Sequence, residues 1–225
     1  MQIKKLVCLA LITMLLTPCG LSAAEAEKAA ATVDGLQHVK DSNLATVYVL
    51  PGVDFSQYQR VNLADAYIAF KKNWQRNQNR SAANRISSDD MLKIKAELAG
   101  LFYDVFTITL EDGGYELVTG KGDDVLLIKP AIINLDIVAP ATKSSGNTHT
   151  YSESAGEMTL YLELYDSVSG ALIAKAMDRQ KDRQTGYFKW QNKVANRAAA
   201  NRILQAWADV LKEGLDEARA TGPIQ

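Results

Sequence analysis

The sequence predicts an α+β fold: a mostly antiparallel sheet of five or six strands with two amphipathic helices packed on one face. Three observations lead there. Met158, Leu160, Leu162 and Leu164 alternate with Glu157, Thr159, Tyr161, Glu163 and Tyr165, the period of two of a half-buried strand. Two long stretches, one opening at Ser87 and one ending near Ala218, instead carry apolar residues at steps of three and four. Strand-like segments come in runs before and between these helices rather than alternating with them singly, which argues against a parallel βαβ sheet.

The chain opens on a leader. Lys4 and Lys5 precede an apolar run, Leu6 to Leu16, and no acidic residue appears before Glu25. At about 1.5 Å per residue that run spans about half of a bilayer core, too short to cross comfortably. A basic start, a short apolar core and small residues near a cut point are the pattern of a secretory signal peptide. Two processing routes compete. In one, Cys19 is the candidate lipidation site, with Leu16 suitably placed and Pro18 ill suited to the slot before the cysteine. In the other, cleavage follows Ala24, with Ser22 and Ala24 as the small residues. The expected organisation is a signal peptide over 1–24, a flexible lead-in over 25–43, one α+β domain over 44–219 and a tail over 220–225.

Both cysteines, Cys8 and Cys19, lie in the leader, so a mature chain cut after Ala24 has no disulfide, no thiol nucleophile and no thiolate metal site. Its stability must come from an apolar core. Losing Lys4 and Lys5 leaves 23 basic against 26 acidic residues, a net charge of about −3. That balance argues against nucleic acid, whose binding depends on neutralising phosphates.

Along the domain, Leu44 to Gly52 reads as a strand closed by the Pro51–Gly52 turn. Val61 to Phe70 is a second extended segment, with Val61, Leu63, Tyr67 and Phe70 as buried residues. Lys71 to Arg85, rich in Asn, Gln and Arg, reads as a solvated loop. Ser87 and Asp90 form a capping-box pair at the start of the first helix. Its stripe is Leu92, Leu98, Leu101, Phe102, Val105 and Phe106, and Gly113 and Gly114 stop it. Tyr115 to Val118 is a short strand, and Val125 to Val138 a long central one in which Pro130 implies a bulge or a locally unpaired position. Pro140 to Gly156 is a long polar loop. Gly170 turns the Asp166–Gly170 hairpin, and a terminal helix runs from Phe188 to Ala218. Val194, Ala198, Ile203, Trp207, Leu211 and Leu215 form its buried stripe, while residues such as Lys212 and Asp216 face water.

Catalytic constellations find little support. His38 and His149 are the only histidines, and both fall in polar, loop-like sequence. Ser167 and Ser169 sit at a hairpin tip rather than on a nucleophile elbow. Asp166, Asp178 and Asp182 lack the dense spacing of a calcium loop, and Gly120 and Gly122 lack that of a phosphate-binding loop. No catalytic residue, cofactor or metal ligand is expected. Two basic stretches, Lys72–Arg85 and Arg179–Lys189, carry or adjoin aromatics. Trp74, Tyr187 and, in the polar loop, Tyr151 are therefore candidate contacts for an envelope protein or polymer. The competing reading has these aromatics anchoring neighbouring elements.

The segment "AGEMTLYLELYDSVSGALIAKAMDRQ", preceded by "VLLIKPAIINLDIVAP" and followed by a Trp-bearing helix, resembles the bacterial envelope family known as domain of unknown function 3313. The likeness runs from about Leu44 to Ala218. It implies an exported or outer-membrane-associated protein of Gram-negative bacteria, often a lipoprotein, with no established activity. The leading expectation is a non-enzymatic envelope protein that binds a periplasmic or outer-membrane partner through its exposed sheet face or the Tyr151 loop. Others are a carrier or sensor of a small apolar or lipid ligand held between helices and sheet, a lipoprotein tethered through Cys19, and an unrecognised hydrolase. Membrane contact is expected only if Cys19 is lipidated, and the oligomeric state is left open.

Overall fold

The structure, a computed structural model, describes residues 34–80, 85–137, 150–152, 156–181, 189–191 and 193–223. In chain order these form β1 (Gln37–His38), β2 (Thr46–Val49), a 3-10 turn (Phe55–Gln57), β3 (Arg60–Leu63), β4 (Tyr67–Phe70) and α1 (Trp74–Gln78). Then come α2 (Ser88–Asp112), β5 (Glu116–Leu117), β6 (Val125–Ile137), β7 (Thr150–Ser152), β8 (Gly156–Asp166), β9 (Leu172–Lys181), β10 (Lys189–Gln191) and α3 (Lys193–Thr221).

The fold is mixed α+β. Eight strands make one sheet in the order β1-β2-β9-β8-β6-β3-β5, with β4 also pairing β6, and β7 and β10 form a separate antiparallel ribbon. The sheet is mostly antiparallel, but β3 and β4 both run parallel to β6, and β5 runs parallel to β3. Among the described residues the expected five or six strands and two helices thus become eight sheet strands, a ribbon and three helices. The additions are short elements. Two-residue strands such as β1 and β5 and the five-residue α1 carry too little periodic pattern to show in sequence.

The alternation in β8 determines the layers. Leu160, Leu162 and Leu164 pair with Asp178, Ala176 and Ala174 of β9 and with Ile132, Pro130 and Ile128 of β6, so one face gathers these side chains. Most of them are buried, and α2 and α3 cover them in one core with Phe102, Phe106, Leu204 and Trp207. Both long helices lie on one face, as expected. At roughly 25 cal/mol per Å2 of apolar surface removed from water, this seam is the main source of stability.

Pro130 occupies the locally unpaired position. The Ala64 amide donates to the Ile128 carbonyl at 2.9 Å, so Ile128 and alternate residues beyond it turn their backbone toward β3 and β4. Pairing with β3 ends at Leu63↔Ile128 and pairing with β4 begins at Tyr67↔Ala131. Pro130 faces the gap between them and forfeits no ladder bond. The register shift lies further on, between Ile133 and Asp136, where Asn134 takes a φ of 53°.

Other expectations need correction. Ordered structure begins before residue 44: Leu36 is fully buried and β1 pairs with β2. The break between β3 and β4 shifts the side-chain parity, exposing Tyr67 and burying Ile68. Leu92, in the first turn of α2, is 64% exposed, outside the covered stripe. The capping box is formed as expected, with the Asp90 amide donating to Ser87 Oγ and the Ser87 amide donating to Asp90 Oδ2. Residues 189–191 are strand rather than helix, and in α3 it is Ala199 and Leu204 that are buried while Ala198 is exposed.

Candidate functional site

Beyond Trp207, α3 and the sheet enclose a space between small side chains. On β9 the residues facing the helix are Ala174 and Ala176, and on α3 the facing positions include Gly214 and Ala218. Small side chains on both sides leave a cavity of about 400 Å3. Val47, Val49, Phe55, Leu164, Leu211 and Leu215 give it an apolar wall. Lys40, Asp41, Ser42 and Asn43 of the loop between β1 and β2 border it, as do Glu213, Glu217 and Thr221 of the helix. The volume falls within the roughly 300–1,000 Å3 of small-molecule sites, and an apolar wall with a few polar groups is their usual composition.

Earlier along α3 the helix is held to the sheet by a fixed polar contact. Trp207 is 1% exposed, and its indole Nε1 donates to Asp178 Oδ2 at 2.8 Å. Asp178 also accepts from the Ala45 amide and from Gln180 Nε2, so its carboxylate is fully engaged in holding helix, strand and edge loop together. It has a structural role in the fold rather than a calcium site.

The open face of the sheet differs in kind. Tyr161 and Tyr165 both donate to Glu163, at 2.8 and 2.7 Å, and Lys129 Nζ lies 4.3 Å above the Tyr165 ring. Burial first, then the hydrogen bond to the Glu163 carboxylate, pushes the Tyr165 phenol up to about 12. Tyr161 is raised for the same reasons. Nearby, Lys175 is ion-paired with Asp34, and His38 packs edge-on against Tyr48. Lys71 and Arg179 converge on Glu157, and chiefly the Arg179 guanidinium holds that carboxyl below its usual range.

The hairpin tip is also structural. The Ser167 hydroxyl donates to the Gly122 carbonyl at 2.9 Å and accepts from its amide, pinning the hairpin to the turn before β6. Asp166 accepts from the Ser169 hydroxyl and amide, which lower its pKa, and from the Tyr58 phenol. Among the described residues no helix is long and apolar enough to cross a membrane, and no group of acidic, Cys or His side chains could hold a metal ion.

Of the candidate contacts, Trp74 is withdrawn from the surface. It is 3% exposed, stacks on Phe70 at 4.2 Å and donates from Nε1 to the Ile137 carbonyl. It anchors α1 to the end of β6, the structural alternative. Tyr151 falls in β7, where the backbone register sets it opposite Trp190 of β10. Tyr187, Cys19, Ala24 and His149 lie outside the described residues. Sequence reasoning carried a ligand between helices and sheet as an alternative but did not locate the cavity, whose signal is the pair of alanines on β9 facing a glycine and an alanine on α3.

The chain belongs to the family described as "Protein of unknown function (DUF3313)", whose model matches residues 25–211. No curated protein matches it. Similar solved structures include the PelC dodecamer from Paraburkholderia phytofirmans, at 11% identity and a TM-score of 0.37, covering 74% of this chain and 96% of that one. A minor lipoprotein from Acinetobacter baumannii is similar at 10% identity and a TM-score of 0.32, covering 70% and 94%. A DUF4136 family protein from Bacteroides thetaiotaomicron is similar at 14% identity and a TM-score of 0.31, covering 77% and 96%.

Proposed function

We propose that this is an exported, non-enzymatic protein of the bacterial envelope that holds a small apolar or lipid ligand between α3 and the sheet. The leader pattern supports export. The observation that carries the binding reading is the cavity of about 400 Å3, which sits beside the apolar core. The polar clusters nearby are engaged in tying elements together, which favours binding over catalysis.

A ligand that binds only the folded state raises the unfolding midpoint by mass action. The test is native mass spectrometry and thermal unfolding of the mature protein, purified without detergent, with decanol as the probe. The expected result is a decanol adduct and a raised midpoint, both abolished by Ala176→Leu, which fills the cavity from β9. A protein that neither carries nor is stabilised by decanol contradicts the reading. The mass of the mature N-terminus distinguishes a chain starting near Glu25 from one starting at acylated Cys19.

A second reading is favoured by a separate observation. The open face groups Tyr161, Tyr165, Tyr48 and Lys129 around Glu163, a surface suited to an envelope protein or polymer. Tyr161→Ala combined with Tyr165→Ala should abolish crosslinking to such a partner while leaving decanol binding intact.

A further inference from the structure

We propose that the ligand of the α3 cavity is a single-chain amphiphile with a cationic, ammonium-type head. This rests on the apolar-ligand reading above and adds the chemistry of the head. The charged residues bordering the cavity are Lys40, Asp41, Lys175, Glu213 and Glu217. Lys175 belongs to the sheet's other face by register, and its ammonium is held by Asp34. That leaves Lys40 against three carboxylates, two of them one helical turn apart on α3.

The remaining cations of the last turns of α3 are engaged elsewhere. Lys212 Nζ pairs with Asp216 at 2.8 Å, and the Arg219 guanidinium lies 5.0 Å from the Tyr115 ring centroid. The helix also ends at the cavity, with Thr221 on its border, so the negative end of the helix dipole faces the same rim. Lys40 apart, each contribution has one sign. An anionic head would meet three carboxylates and a helix C-terminus, while an ammonium would be attracted by all of them. The apolar wall takes the chain, and the acidic rim selects the head.

The experiment compares decylammonium, decanol and decanoate by calorimetric titration of the full mature chain at low ionic strength. With identical tails, the differences report the head alone. Decylammonium should bind about tenfold more tightly than decanoate, with decanol between, a gap of about 1.4 kcal/mol. Glu213→Gln with Glu217→Gln, both exposed positions, should shrink that preference severalfold, and added salt should do the same. Equal binding of all three, or tighter binding of decanoate, overturns the cationic head and leaves the apolar cavity standing. Binding of none overturns both.

Discussion

The same helix meets the same strand in two ways. At Trp207, α3 fills the interface with the largest side chain available and fixes it with a buried hydrogen bond to Asp178. One to three turns later it faces Ala174 and Ala176 across a cavity. Leu211 and Leu215 are as buried as ordinary core residues, so the helix has not frayed away from the sheet. The void comes from small residues on the strand and on the helix. Protein interiors otherwise pack as densely as organic crystals. The contrast sets Trp207, which closes the interface, against an alanine-lined end that leaves it open.

Substitutions at the two ends should have opposite consequences. Trp207→Ala should have the largest effect, destabilising the protein by about 3–5 kcal/mol in chemical denaturation, because it opens a cavity and strips a donor from Asp178. Asp178→Ala, which leaves the buried indole N–H without its acceptor, should cost about 1–3 kcal/mol by the same measurement. Ala176→Leu should change stability by less than about 1.5 kcal/mol while abolishing stabilisation by decanol, since it adds volume where space exists. A larger cost would mean that the alanine end is packed after all. Gly214→Ala should stabilise by roughly 1 kcal/mol, because an added Cβ there meets nothing within 4 Å and alanine is the better helix former.

The open face supplies a smaller, pH-dependent test. Tyr165 titrates well above its ordinary value of about 10, at about 12. The folded state thus favours the neutral phenol. Its contribution is fully present below about pH 10 and is lost as pH rises toward about 12. Tyr58 is also pushed up to about 12, so spectrophotometric titration should show a late phenolate step whose amplitude falls in Tyr165→Phe, and alkaline unfolding should shift in the same variant.

Much of the closed half was legible in the sequence. The β8 leucines, the Ser87–Asp90 cap and the Phe102–Phe106 stripe report their burial through strictly local periodicity. The parallel pairing of β3 and β4 with β6 was not legible, because it joins segments more than 60 residues apart and no local pattern encodes register. Trp74 was misplaced because its neighbours are polar: a single large aromatic in a hydrophilic stretch can anchor a short helix without an amphipathic stripe. The cavity was hidden for a different reason. Ala174, Ala176, Gly214 and Ala218 read equally well as close packing or as empty space, and only their placement across an interface separates the two.

Methyl-detected NMR tests the central contrast most directly. With the alanine methyls and the Trp207 indole assigned, decylammonium is titrated into the mature protein. The account predicts shifts of the Ala174, Ala176 and Ala218 methyls that saturate together, with the Trp207 indole proton little changed. Shifts confined to residues around Tyr161 and Tyr165, or no saturable shift at the three alanines, would contradict it.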